Sequence, residues 1–380
     1  MIKMNKIKVG ILGATGMVGQ RFITLLDNHP WFEVVSVAAS PKSAGKSYEE
    51  AVKGRWLMEG NIPNNVKKLT VKQVEADSDS IANEVDFVFS ALDMGKEKIR
   101  EIEESYASKD VPVVSNNSAH RWTEDVPMII PEINPDHISL IDIQRKNRNW
   151  NKGLIVVKPN CSIQSYVPII NSLEKYGPKK VEVTTAQAIS GAGKTFETFP
   201  EILDNVIPFI GGEEEKSEKE PMKVLGKIEN DKLVLAENPK ISATCLRVAA
   251  MDGHMASVSI ELEKDITEKE FINLIENYEN PISKLSLPSA PKQFMKYFSE
   301  EDRPQTKLDR DSEKGMGITV GRLRKDPIGL ELAVKDGQYS PTRLPSTHLW
   351  KFIALSHNTI RGAAGGAVLV AELLKAKGYI

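Results

Sequence analysis

Residues 10–19 read Gly10-Ile11-Leu12-Gly13-Ala14-Thr15-Gly16-Met17-Val18-Gly19, with a glycine at every third position. The run follows an apolar, strand-like segment (6–12) and precedes apolar residues at helical spacing (17–27). Glycine allows a tight turn, close approach of backbone to a phosphate, and close packing of helix on strand. A helix opening at such a turn offers free N–H groups and the positive end of its dipole to a pyrophosphate. The pattern alone is weak, but its setting between strand and helix predicts a dinucleotide cradle at Gly13, Thr15, Gly16, Met17, Val18 and Gly19.

Strand-like runs at 32–39, 85–92, 111–115 and 154–157 continue the pattern, with a charged helical stretch at 96–108. Strands separated by helices predict a doubly wound, Rossmann-type parallel sheet, because parallel neighbours need crossovers. Past Lys158-Pro159 the character changes. Strands are expected at 181–188, 232–235, 246–251 and 256–263, followed by a helix capped by Thr267 and Glu270. Without regular βαβ alternation, this part reads as an α+β domain. Residues 287–315, rich in proline and charge, read as a long surface loop, 316–323 and 329–334 as strands, and 349–377 as helix broken at Gly365-Gly366. SIQSYVPIINSLEKYG reads as one helix after Cys161, with Pro168 as a kink. The 380 residues exceed a single domain of ~150. The division expected is 1–158 for the dinucleotide domain and 159–358 for the α+β domain, with a helix at about 359–380 returning to the first domain.

Lysine plus arginine (50) against aspartate plus glutamate (52) leaves a net charge of −2, giving no global attraction to nucleic acid or anionic membrane. The longest nearly apolar stretch, 362–371, falls well short of a span of ~18 residues. The N-terminus runs into a strand without the apolar core of a signal peptide, and two cysteines are too few for a disulfide framework. A cytoplasmic protein is expected, with no metal site, nucleic acid or membrane partner.

An NAD site usually carries an acidic residue at the end of the second strand. Here that strand runs into Ser40-Pro41-Lys42-Ser43, which offers hydroxyls and a lysine to a 2′-phosphate, so NADP is favoured. Cys161 follows the turn formers Pro159-Asn160 at the start of a helix. There the dipole lowers a thiol's pKa, and free N–H groups can stabilise an oxyanion. Read from the residues alone, Cys161 fits an inert core cysteine better than a nucleophile, because free cysteine is usually core, and Cys245, inside ISATCLRVAA, is the bland case. Among six histidines, His254 sits in a turn between two apolar strands that can hold an imidazole against a distant thiol.

GATGMVG, ASPKSAGK, DVPMIIPEIN, PNCSIQS, AISGAGK, IGGEEEK, LRVAAMDGH and HNTIRGAAGGA occur in one order along essentially the whole chain. In this the chain resembles the aspartate-β-semialdehyde dehydrogenase family, in its archaeal and fungal branch. The resemblance implies reversible, NADPH-dependent reduction of L-aspartyl 4-phosphate to the 4-semialdehyde with release of phosphate, a step feeding lysine (by way of diaminopimelate), threonine and methionine synthesis. It implies Cys161 as the nucleophile that forms an acyl thioester and His254 as general acid/base. Gln187 is expected to orient substrate, Arg247 to bind the α-carboxylate, and Glu213 the amino group, in a glutamate run whose register is open by one position. Lys216 and Arg121, with Asn116 nearby, are expected at the phosphate. NADP is expected to meet Thr15 to Val18, Ser40, Ser43, Ser190, Gly191 and Asn358. A homodimer or homotetramer is implied. Two departures stand out: Lys42 replaces the usual arginine of its segment, a point charge for a fork, and Ala249 replaces a common proline.

Three other readings compete. An acyl-CoA reductase would use the same thioester with, for instance, malonyl-CoA. A cysteine hydrolase would have no use for a dinucleotide cradle, and a non-catalytic dinucleotide sensor would not need Cys161 and His254 together.

Overall fold

The computed structural model describes residues 5–328, 331–335, 338–343 and 348–380. Six strands, β1 (Ile7–Leu12), β2 (Phe32–Ala39), β3 (Val71–Gln73), β4 (Phe87–Ser90), β5 (Val113–Ser115) and β6 (Ile155–Val157), form a sheet in the order β3-β2-β1-β4-β5-β6. Every pair is parallel. This is the order of a doubly wound dinucleotide fold, and it leaves a crevice at the strands' C-terminal ends where the order reverses, beside β1 and β4. Both faces are covered, which is why β4 is apolar without alternation. On one face Phe87, Phe89, Val114 and Val156 pack with the first helix (Met17–Leu25) and the C-terminal helix (Gly365–Ala376). On the other, Val88, Val113 and Ile155 meet Ile99, Ile102 and Tyr106 of helix Lys96–Ser108.

The second sheet has seven strands: β7 (Pro178–Gln187), β8 (Val206–Ile207), β11 (Lys240–Val248), β12 (His254–Leu262), β13 (Met295–Phe298), β14 (Ile318–Lys325) and β17 (Leu349–Ser356). Its order is β13-β14-β17-β12-β7-β11-β8. Strands β9 (Lys227–Glu229) and β10 (Lys232–Val234) pair in a hairpin, as do β15 (Glu331–Lys335) and β16 (Gln338–Arg343). Helix Glu268–Glu276 starts at the expected capping box: Thr267 accepts from the Glu270 N–H, and the Glu270 carboxylate accepts from the Thr267 N–H. One apolar cluster runs from Val113 and Ile155 of the first sheet to Val181, Val258 and Phe352 of the second. One continuous core therefore joins the two sheets.

Several expectations change. Residues 349–356, expected as helix, form β17, paired with β12 and β14, with Trp350, Phe352 and Ala354 buried. The helix begins at Gly365-Gly366 and does not break there. A β-carbon on Gly365 would lie 2.8 Å from Met316 Sδ, and one on Gly366 2.3 Å from Lys158 Cε, so these glycines serve close packing. Pro168 lies in the first turn of a separate helix, Val167–Ser172, after a short 3-10 turn, Ser162–Ser165, and kinks nothing. Within 287–315, Met295–Phe298 forms an edge strand parallel to β14. Of the strand expected at 329–334, residues 329 and 330 lie outside the described residues. Strand β3, three residues long, has no counterpart among the expected strands.

Candidate active site

A cleft of about 510 Å³ opens between the sheets, lined by Gly16, Met17 and Val18 on one side and Asn160, Cys161 and Glu213 on the other. Asn116, Arg121, Ser190, Gly191, Lys216 and Asn358 also line it, with Asp93 and Gly362 among others, whereas Gln187, Arg247 and His254 do not. A neighbouring cavity of about 260 Å³ continues past Gly13 and Thr15 to Ser40. A larger hollow of about 970 Å³, at 275–295, holds neither the cysteine nor the glycine loop.

Gly13 has φ +86°, and a β-carbon there would lie 2.2 Å from the Ala91 carbonyl. One on Gly19 would lie 2.2 Å from the Gly13 carbonyl. The first helix starts at Gly16 with no side-chain cap, so its leading N–H groups stay available to an anion. Asn116 Nδ2 is buried without a partner. These features fit a dinucleotide. Of the residues expected at a 2′-phosphate, only Ser40 lines the smaller cavity. Ser43 is buried in the turn, its N–H donating to the Ser40 carbonyl at 3.0 Å, and Lys42 is exposed outside the wall. Glu75, which follows β3, also lines this cavity and pairs with Lys98 at 2.5 Å. It is a carboxylate that the second strand's end gave no sign of.

Cys161 follows β6 and is half-buried. Asn160 fixes the loop: its Oδ1 accepts from the Ser162 N–H at 2.7 Å, and its Nδ2 donates to both Glu213 oxygens at 3.1 and 3.0 Å. A β-carbon on Gly362 would stand 2.7 Å from Cys161 Cβ, so the segment before the C-terminal helix closes over the cysteine. The thiol's pKa is pushed up to about 11, by burial first and by Glu213 second; Lys158, Arg121 and Lys216 oppose this. The expectation of a lowered value is corrected. The turn after Cys161 is only four residues long, and desolvation outweighs it.

Arg247, Gln187 and His254 reach one sheet end from three adjacent strands. Arg247 pairs in register with Gln187 across β11 and β7, and His254 opens β12 one step beyond the Met255–Ala186 pair. Arg247 Nη1 donates to the Ala188 carbonyl at 2.7 Å, and Gln187 Nε2 to Glu213 Oε2 at 3.4 Å. The Ala188 N–H donates to His254 Nδ1 at 3.1 Å. That bond assigns the proton of the neutral ring to Nε2, which is buried and unpartnered. Burial, then Arg247, pushes the His254 pKa down to about 3. Gly191 lies between this pair and the cleft: its β-carbon would sit 3.1 Å from His254 Nε2 and 3.3 Å from Arg247 Nη1.

Helix Glu213–Val224 resolves the glutamate run. Glu213 faces Asn160 and Lys216 (2.7 Å), Glu214 accepts from the Cys245 N–H (3.2 Å), and Glu215 pairs with Lys219 on the surface. Arg121 is buried, donating to Glu220 (2.8 Å), the Lys158 carbonyl (3.0 Å) and the Asn116 carbonyl (3.1 Å). Glu220 also accepts from the Asn160 N–H at 2.6 Å. Nothing in the sequence marks Glu220 among its charged neighbours. Asn160 was legible only as a turn former. Ser190 donates to Asp252 (2.7 Å) and accepts from Asn358 (2.8 Å), tying the loop of Gly191 to the end of β17.

A parallel dinucleotide-type domain, sharing a cleft with a second domain that presents a cysteine and a carboxylate–cation cluster, with a buried histidine behind Gly191, defines a two-domain oxidoreductase. Residues 8–141 match the family model for the NAD binding domain of semialdehyde dehydrogenase, and residues 168–335 that for its dimerisation domain. The chain is 42% identical to aspartate-semialdehyde dehydrogenase of Archaeoglobus fulgidus, over 96% of this chain and 97% of that one. It is 40% identical to that of Aspergillus fumigatus over the whole of both. The crystal structure of the Candida albicans enzyme with NADP superposes with a TM-score of 0.82 at 36% identity, covering 99% of this chain and all of that one. The chain belongs to the aspartate-semialdehyde dehydrogenase family.

Proposed function

We propose that the protein catalyses NADPH-dependent, reversible reduction of L-aspartyl 4-phosphate to L-aspartate 4-semialdehyde through an acyl thioester on Cys161. The observation that carries this is the shared cleft: Cys161 lies in one cavity with the free helix start at Met17-Val18 and with Arg121 and Lys216. Cys161 Sγ attacks the acyl carbonyl as the thiolate, the acyl carbon–oxygen bond to phosphate breaks, and phosphate leaves toward Lys216 and Arg121, with Asn116 beside them. Arg247, one Nη held by the Ala188 carbonyl, turns the rest of its fork to the substrate α-carboxylate. Glu213 takes the amino group, and Gln187 steadies the carboxylate of Glu213. His254, protonated at Nε2 and neutral, is a donor as it stands, suited to an oxygen that gains charge at the thioester carbon. NADP(H), when bound, supplies or accepts the hydride. Thr15, Gly16, Met17, Val18, Ser190, Gly191 and Asn358 form its walls, with Ser40 at the 2′-phosphate. The reading for NADP is supported by Ser40 and by the NADP complex of the Candida relative.

The same reading has residues 1–158 and the C-terminal helix as the cofactor domain, and a cytoplasmic homodimer or homotetramer assembled through the second domain. Support for assembly is the dimerisation-domain match and the exposed Leu203, Val206 and Phe209 around edge strand β8. Among the described residues no helix is long and apolar enough to cross a membrane.

The test is NADP reduction with aspartate semialdehyde, followed by absorbance at ~340 nm. Turnover should require inorganic phosphate and be faster with NADP than with NAD. Turnover with coenzyme A in place of phosphate, and none with phosphate, would favour an acyl-CoA substrate. Hydrolysis of L-aspartyl 4-phosphate to aspartate and phosphate without oxidation of NADPH would overturn the dehydrogenase reading.

A further inference from the structure

Beneath Cys161 lies a group of buried charges, of which the proposed chemistry uses only Arg121. Arg361 and Glu132, both fully buried, form an ion pair, with Arg361 Nη1 donating to Glu132 Oε2 at 3.1 Å. Arg121 and Glu220 form a second, at 2.8 Å, with the remaining Glu220 oxygen taken by the Asn160 N–H. The third cation, Lys158, is 2% exposed and has no carboxylate of its own among the described residues. Its Nζ makes one hydrogen bond, a long one of 3.4 Å to the Pro159 carbonyl. Its stem is pinned by Gly366, and Cys161, three residues on, by Gly362 of the same segment. Each carboxylate near Lys158 is therefore committed to an arginine, and the remaining neighbour able to become an anion is the Cys161 thiol.

We propose that Lys158 is the counter-cation of the Cys161 thiolate, a positioning residue that makes the nucleophile available in a site that otherwise opposes it. Thiol plus amine and thiolate plus ammonium hold the same number of protons and differ only in where one proton sits. Burial disfavours each charge alone, holding Lys158 down to about 7 and Cys161 up to about 11, while each favours the charged form of the other. The remaining charges facing them act on one side or the other. Arg121 disfavours the ammonium and favours the thiolate, Lys216 and Arg247 favour the thiolate, Arg361 disfavours the ammonium, Glu220 and Glu132 favour it, and Glu213 disfavours the thiolate. Removing the lysine takes from the thiolate a cation that favours it, leaving Arg121, Lys216 and Arg247.

This rests on Cys161 as nucleophile, so its test does not depend on turnover. Iodoacetamide alkylation of Cys161, mapped by peptide mass spectrometry from pH 6 to 10, reads the thiolate directly. In Lys158→Met the rate at pH 8 should fall about tenfold, with the profile moved to higher pH by about one unit, while Lys158→Arg should recover most of the rate. NADP binding by each variant checks the fold. A folded Lys158→Met protein with the native alkylation profile overturns the proposal. Where that variant does not fold, the unaltered chain gives the test from the other side. With ε-carbon-labelled lysine, assigned by Lys158→Arg, capping Cys161 with iodoacetamide should lower the Lys158 titration midpoint, and an unmoved midpoint overturns the coupling. Retained turnover in Cys161→Ala would sink the nucleophile reading and leave the alkylation result to judge Lys158 by itself.

Discussion

Replacing Gly191 by alanine should separate positioning from folding. Gly191 is exposed and lacks a positive φ, so the substitution costs the fold little, and the lower backbone entropy of the unfolded chain offers up to ~0.5 kcal/mol of stabilisation. Its new methyl, however, would stand 3.1 Å from both Cε1 and Nε2 of His254. Non-bonded atoms prefer at least ~3.5 Å, so the ring or the loop must yield by about 0.4 Å. A 1 Å misplacement at a reacting centre costs ~100-fold, or about 2.7 kcal/mol. Scaled to this displacement, the loss is about 1 kcal/mol, roughly sixfold in kcat. The assay is phosphate-dependent NADP reduction at saturating cofactor, beside thermal unfolding of both proteins. A sixfold fall in kcat with an unchanged or slightly raised Tm is expected. Unchanged kcat would show that the ring is not poised behind Gly191, and an equal fall in Tm would move the effect from positioning to folding.

Cys161→Ser should retain NADP binding and lose nearly all turnover, whereas Cys245→Ser, whose thiol is fully buried beside Ser217, should keep substantial activity; the reverse outcome would exchange their roles. Ser40→Asp should shift the kcat/KM ratio toward NADH by repelling a 2′-phosphate, and an unchanged ratio would move that phosphate away from Ser40. Arg247→Lys should raise KM for the semialdehyde roughly thirtyfold, about 2 kcal/mol, because an ammonium cannot serve the Ala188 carbonyl and a carboxylate with the same fork; steady-state kinetics with native KM and kcat would exclude the clamp. Stability should fall with acid. His254, His120 and His357 are held down to about 3, 4 and 4 by burial, so below pH ~6.5 the unfolded chain takes up protons that the folded one refuses. At pH 5 that amounts to about 2 kcal/mol per histidine, partly offset by buried Glu103, whose raised pKa acts in the opposite sense; denaturant titrations agreeing at pH 7 and pH 5 would refute it.

Features governed by neighbours in the chain were legible beforehand. The glycine loop is dictated by the positive φ at Gly13 and the approach of Gly19 to the Gly13 carbonyl, helix Lys96–Ser108 by its apolar spacing, and the Thr267–Glu270 cap by hydrogen bonds three residues apart. Features governed by distant partners were not. LWKFIALS suits helix and strand alike, and only pairing with β12 and β14 decides for strand. Gly365-Gly366 looks like a helix break until Lys158, over two hundred positions earlier, is seen to press on it. Glu220 lies among similar charges, and its role comes from Arg121, 99 positions away. At the cysteine, the local signal of a helix start was present, but enclosure by Glu213 and Gly362 overrode it.

The helix Gly365–Ala376 has a consequence for how the chain is made. Its residues through Leu374 are buried, and they pack with Val9, Ile11 and Phe22. A ribosome delivers the first parallel strands more than three hundred residues before the helix that covers them. During that interval an apolar face meant for the interior stands open to water and to chaperones. The same late segment carries Gly362 over Cys161, so this sulfur acquires its enclosure only after some two hundred further residues have been made. A nascent chain stopped short of this helix should therefore be captured by holdases and alkylated at Cys161 as an ordinary exposed thiol.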